Sequence, residues 1–79
     1  MDVKKRVTKI MNETLCLERY EFGPEELLQD DLGVDSFDIV EIQMLLESEY
    51  DIKIPDETIE KWKTVRDIID YVKKETGEE

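Results

Sequence analysis

Residues 35–50 read Asp35-Ser36-Phe37-Asp38-Ile39-Val40-Glu41-Ile42-Gln43-Met44-Leu45-Leu46-Glu47-Ser48-Glu49-Tyr50, and two apolar stripes rather than one run through them. At about 100° per residue, Ile39, Ile42, Leu46 and Tyr50 fall on one side of a helix, the pattern of a helix facing a core. Phe37, Val40 and Met44 fall together roughly 150° away, flanked by Asp38, Glu41 and Glu47. The Asp35 carboxylate is placed to cap the free amides of the first turn, so the helix is expected to begin just after it and to run to about Tyr50. A helix with two apolar sides is either covered on both by neighbouring helices or presents one as an interaction surface. On such a surface the apolar centre supplies affinity and an acidic rim orients a basic partner.

The flanking segments are helical too. Val3, Val7, Ile10 and Met11 recur at helical spacing behind Asp2, which predicts a first helix over residues 3–16. A long connection follows, in which Phe22-Gly23-Pro24-Glu25-Glu26 reads as a short helical turn started by its proline and Gly33 supplies a bend. Beyond the central helix Pro55 stops continuation, and Asp56-Glu57-Thr58-Ile59-Glu60-Lys61 can form one short helical piece. Thr64 with Asp67 makes a variant capping box ahead of Val65, Ile68, Ile69 and Val72, the last helix. The tail Thr76-Gly77-Glu78-Glu79 is expected to fray. No alternating strand pattern competes, so the expected fold is all-α: one domain over residues 1–79, a small four-helix bundle with a long first loop and a short third helix. Trp62 reads as a core anchor ahead of the last helix.

Composition narrows the function. The chain has 79 residues and a formal net charge of −11, with Asp30 to Glu60 holding eleven Asp and Glu against the single Lys53. Nucleic acid is excluded as a main partner, since a phosphate backbone must be met by a basic surface. The natural partners are proteins with basic docking patches. The basic start MDVKKRVTKI is followed by no apolar run of export or membrane-spanning length, so a cytoplasmic monomer without a membrane span is expected. Cys16 has no second cysteine to pair with and reads as a small buried hydrophobe. The absence of His leaves Ser36 without the usual general base, and its anionic surroundings disfavour an alkoxide, so no catalytic residue is assigned. Asp30 and Glu41 stand at the first and twelfth positions of a calcium loop, but Leu32, Val34 and Asp35 occupy positions that need oxygen ligands or glycine. No specific metal site is expected, only loose divalent binding to the acidic helix. At the first helical position, Ser36 lies where free amides and the helix dipole favour an anion such as a phosphate ester.

Asp31-Leu32-Gly33-Val34-Asp35-Ser36, followed by Asp38, resembles the phosphopantetheine attachment motif of acyl carrier proteins. The similarity continues through Val40-Glu41-Ile42, Met44, Leu46-Glu47, Ile54-Pro55-Asp56-Glu57, Thr64-Val65 and Ile68 to Val72, at the expected spacing. The resemblance implies a discrete, bacterial-type carrier on which Ser36 holds a 4′-phosphopantetheine arm, donated by coenzyme A through a phosphopantetheinyl transferase. Acyl groups would ride on that arm as thioesters to fatty-acid, lipid or specialised biosynthetic enzymes, acyl synthases or acyltransferases among them. It also implies that Asp35, Asp38, Glu41 and Glu47 meet basic residues of these enzymes, that Phe37, Val40 and Met44 touch their apolar patches, and that Ile42, Leu46, Ile54, Ile59, Ile68 and Ile69 line a space for the acyl chain. Leucine usually follows the serine in fatty-acid carriers, whereas Phe37 follows it here, which points to a specialised pathway. An aromatic at this place is also similar to D-alanyl carrier proteins of cell-wall modification. An unmodified acidic helical adaptor, with Ser36 as a simple cap, is the remaining alternative. The acyl cargo is not encoded in these residues.

Overall fold

Asp2 accepts a hydrogen bond from Lys5 N at 2.8 Å and so caps the first helix in the computed structural model, which describes residues 2–77. That helix, α1, spans Val3–Leu15; α2 spans Ser36–Tyr50, α3 Asp56–Ile59 and α4 Val65–Thr76. The all-α architecture, with its long first loop and short third helix, is the one expected. No described helix is long and apolar enough to cross a membrane.

The apolar periodicities become the core. Val3, Val7, Ile10 and Met11 of α1 pack with Ile42 and Leu46 of α2 and with Val65, Ile68, Ile69 and Val72 of α4. α1 lies against both α2 and α4, and α3 rests on α2. Phe22, Leu28 and Val34 from the long loop and Ile54 and Trp62 from the last connections close the cluster. Trp62 is buried and meets Tyr71 edge-on, ring centroids 5.7 Å apart, as its anchoring role requires. Burial and the carboxylate of Glu75 push the Tyr71 phenol above its ordinary value.

The long loop is held by specific bonds rather than by helix. The Asn12 side-chain amide donates to Arg19 O at 2.8 Å and accepts from Arg19 N at 3.2 Å, turning the chain after α1. Arg19 lies over the Phe22 ring, 4.6 Å from guanidinium carbon to centroid, and forks onto Glu26 at 2.7 and 2.8 Å. The proline-started segment is a single turn, closed by Glu26 N donating to Gly23 O at 3.1 Å. Leu28 N donates to Lys63 O at 2.9 Å, Val65 N to Glu26 O at 3.1 Å and Arg66 N to Pro24 O at 3.0 Å, around an antiparallel bridge between Leu27 and Thr64. The loop is thereby stitched along the connection from α3 to α4. Gly33, at φ +69°, makes the left-handed step that returns the chain, and Val34 N then donates to Leu28 O at 2.8 Å.

Three boundaries differ from expectation. Cys16 is not buried: it takes the left-handed position past Leu15 (φ 57°, ψ 43°), its N–H closing on Asn12 O, and it is exposed. The short helical piece stops at Ile59, leaving Glu60 and Lys61 in tight turns. Of the tail, Thr76 is the last residue of α4, with its hydroxyl donating to Val72 O at 2.7 Å, and Gly77 caps the helix at φ 73°. Glu78 and Glu79 lie outside the described residues.

Candidate functional site

Asp35 is the N-cap of α2, its carboxylate accepting from Asp38 N at 2.9 Å, and Asp38 reciprocates by accepting from Asp35 N at 3.3 Å. This capping box was legible as Asp-x-x-Asp, the counterpart of the Thr-x-x-Asp box that opens α4 at Thr64 and Asp67, but only the Asp35 half was expected. The box fixes where the helix begins and makes Ser36 its first residue. Ser36 is exposed, and its hydroxyl has no hydrogen-bond partner among the described residues. The amides of Ser36 and Phe37 lie in the first turn, where helical geometry offers no intrahelical acceptor.

On one side Ser36 borders a cleft of about 350 Å³. Leu27, Leu28, Val34, Ile39, Ile59 and Trp62 give it apolar walls, while Asp30, Asp35, Glu60 and Lys63 carry charge along it. Of the six residues expected around an acyl space, Ile59 lines this cleft, whereas Ile42, Leu46, Ile54, Ile68 and Ile69 lie in the core cluster. Ile39 and Trp62 were read only as core. Ile39 could have been assigned to the cleft, since it stands three residues beyond Ser36 on the same side of the helix. The contributions of Leu28 and Val34 depend on the fold of the loop and carried no local signal.

On its other side lies the second apolar stripe. Phe37 is 85% exposed, Met44 62% and Val40 43%, so no other described element covers it. Asp35 and Glu41 are exposed beside it, and Asp38 is half-buried within its box. Among the described residues four ion pairs form: Lys4–Glu21, Arg6–Glu49, Arg19–Glu26 and Arg66–Glu25. None involves Asp35, Asp38, Glu41 or Glu47, so the negative charge of this face is left without a counter-charge. Glu47 is half-buried, with Oε2 accepting from Ile54 N at 2.8 Å. Gln43 is the one buried polar side chain of the described core, 7% exposed, and donates to Ile54 O at 2.6 Å.

The geometry fits a phosphate ester: a free, exposed hydroxyl at a helix N-terminus with donor amides around it and a cleft of mixed apolar and charged lining alongside. The family model for the phosphopantetheine attachment site matches residues 5–72. Among solved structures, the fold is similar to a Mycobacterium tuberculosis chain assigned to the acyl carrier proteins, with a TM-score of 0.83 and 28% identity, over 89% of this chain and 93% of that one. It is similar also to the acyl carrier protein of Thermotoga maritima, with a TM-score of 0.76 and 32% identity, over 87% and 80% of the two chains. The chain belongs to the acyl carrier protein family. Its cofactor is phosphopantetheine, and members of this family are carriers rather than catalysts. In this carrier the box, the exposed serine and the bare face lie together at the start of α2. Among the described residues, no three acidic or thiol side chains converge as metal ligands.

Proposed function

We propose that Ser36 is the attachment serine, that a phosphopantetheinyl transferase modifies it using coenzyme A, and that the loaded carrier delivers acyl groups to a dedicated set of cytoplasmic biosynthetic enzymes as a monomer. The observation that carries this reading is the position of the free Ser36 hydroxyl between a partly apolar cleft and an unneutralised acidic face. When bound, the arm supplies a terminal thiol that holds the acyl group as a thioester and lets it reach several active sites at high effective concentration. The protein's own residues do the rest. The first-turn amides of Ser36 and Phe37 would hold the linking phosphate, while Ile39, Ile59 and Trp62 would offer apolar contact to the chain. Phe37, Val40 and Met44, rimmed by Asp35, Asp38, Glu41 and Glu47, dock basic partners weakly and with rapid exchange, because exposed charge raises association rates more than it holds a complex together.

Phe37 supports a specialised pathway, since a ring standing 85% exposed changes the shape that partners must fit. Isolation of the protein from its own cells, followed by intact mass and peptide mapping, tests the reading. The expected result is one phosphopantetheine on Ser36, with added mass that identifies the acyl group. An unmodified Ser36 in protein taken from growing cells supports the acidic adaptor instead, and an alanyl thioester supports the cell-wall carrier.

A further inference from the structure

We propose that Gln43 and Glu47 form a clamp on Ile54 that decides how far the cleft beside Ser36 can open, which makes them specificity-determining residues for the chains the cleft shelters. The inference rests on the proposed use of that cleft. Gln43 and Glu47 are one turn apart on α2, so their side chains rise on the same side of the helix. They take hold of both polar groups of one residue: Gln43 Nε2 donates to Ile54 O at 2.6 Å, and Glu47 Oε2 accepts from Ile54 N at 2.8 Å. Gln43 Nε2 also lies 3.3 Å from Asp56 Oδ1, in the first turn of α3.

α3 needs such a clamp. It has four residues, none of them buried, and a helix of one turn has no stability of its own. Its neighbours hold it at both ends. At the far end the backbone bond from Leu28 N to Lys63 O and the bridge between Leu27 and Thr64 form a fixed edge. At the near end the side-chain attachments to α2 are those of Gln43 and Glu47, beside the backbone bond from Ile52 N to Glu47 O at 3.2 Å that closes the end of α2. The cleft lies between Ile39 of α2 and Ile59 of α3. Releasing Ile54 therefore lets α3 swing about its Lys63 end and widens the space, whereas keeping it gripped limits the chain length that fits. Glu47 thus spends one oxygen on the chain that leads into α3.

Three variants separate the clamp from charge and from general packing. Glu47→Ala removes the acceptor, Glu47→Gln removes the charge but keeps a carbonyl acceptor, and Gln43→Met keeps the volume without the donor. On unmodified protein, amide exchange at Ile54 is expected to speed up roughly tenfold or more in Glu47→Ala and to stay within about threefold of the parent in Glu47→Gln. Each protein is then loaded with octanoyl- or hexadecanoyl-phosphopantetheine, and the thioester is cleaved by hydroxylamine, which forms the hydroxamate and releases the thiol. The ratio of cleavage rates for the two chains is expected to change several-fold in Gln43→Met and Glu47→Ala and to be retained in Glu47→Gln. A ratio unchanged in all three variants, or Ile54 exchange unchanged in Glu47→Ala, overturns the proposal even if the melting temperature falls. Failure of the parent protein to accept any arm counts against the Ser36 reading instead, and the exchange experiment still decides whether the clamp exists.

Discussion

Glu21, Glu25, Glu26 and Glu49 each face a Lys or Arg, whereas Asp35, Asp38 and Glu41 face none. The first group ties the long loop to α1 and α4 and joins α1 to the end of α2; the second surrounds Ser36. The same division appears in the apolar residues of α2, where Ile42 and Leu46 are fully buried while Phe37 and Met44 stand mostly in solvent. One side of this small protein is built for folding and the other is left incomplete, with exposed apolar surface and unbalanced charge that a partner can complete. The difference teaches that one 15-residue helix can carry the core on one face and leave another open, the face proposed for recognition.

The sharpest way to break this comparison is truncation on each side of α2. Leu46→Ala is expected to cost about 2–5 kcal/mol of unfolding free energy, because the fully buried side chain leaves a cavity. Met44→Ala should stay within about 0.5 kcal/mol. Urea unfolding followed through Trp62 measures both, and equal losses would contradict the assignment of the two stripes. Charge reversal comes next. Glu41→Lys should leave the unfolding midpoint nearly unchanged and slow modification by the transferase roughly tenfold at low salt, an effect that shrinks as ionic strength rises. Removing the cap by Asp35→Ala should cost about 1 kcal/mol, and it should also slow modification, since Ser36 loses the box that fixes its position.

The smallest effect belongs to a paired acid. The hydrogen bond from Arg19, helped by the Gly23 amide, holds the Glu26 carboxyl below the usual carboxylate range. A folded pKa below the unfolded one gives stability that is fully present above the unfolded value and is lost as pH falls through the folded value. Thermal melts of the parent and of Glu26→Gln should therefore differ by a constant margin near neutral pH and converge on the acid side. The partly exposed pair makes that margin modest. A transferase rate that followed the same pH convergence would break the separation between the two sides.

Much of this was readable before the fold was known, for reasons that lie in local chemistry. The helices were legible because Val7, Ile10, Met11, Ile68, Ile69 and Val72 repeat at helical spacing, and the start of α2 because Asp35 precedes an apolar run. The exposed stripe of Phe37, Val40 and Met44 was legible as periodicity, although only the packing shows that nothing covers it. The rest depends on contacts distant in sequence. Gln43 has no partner of its own on α2 and finds one only because the chain returns over it at Ile54. The cleft draws on Leu28 and Val34 because backbone bonds between the first loop and the α3–α4 connection bring them there, and no periodicity encodes such a bridge. Cys16 was misread for a local reason: hydrophobicity suggested burial, but the residue after a helix turns left-handed to end it, and here that step leaves the thiol exposed.

The central claim is that the hydroxyl of Ser36, and no other group, receives the arm. Incubating the folded parent protein and Ser36→Ala with coenzyme A and a broad-specificity phosphopantetheinyl transferase, then weighing each intact, tests it most directly. The account predicts a gain of one phosphopantetheinyl group on the parent and none on the variant, with both proteins showing the same helical spectrum. A parent protein that stays at its unmodified mass, or a Ser36→Ala variant that gains the arm, would contradict it.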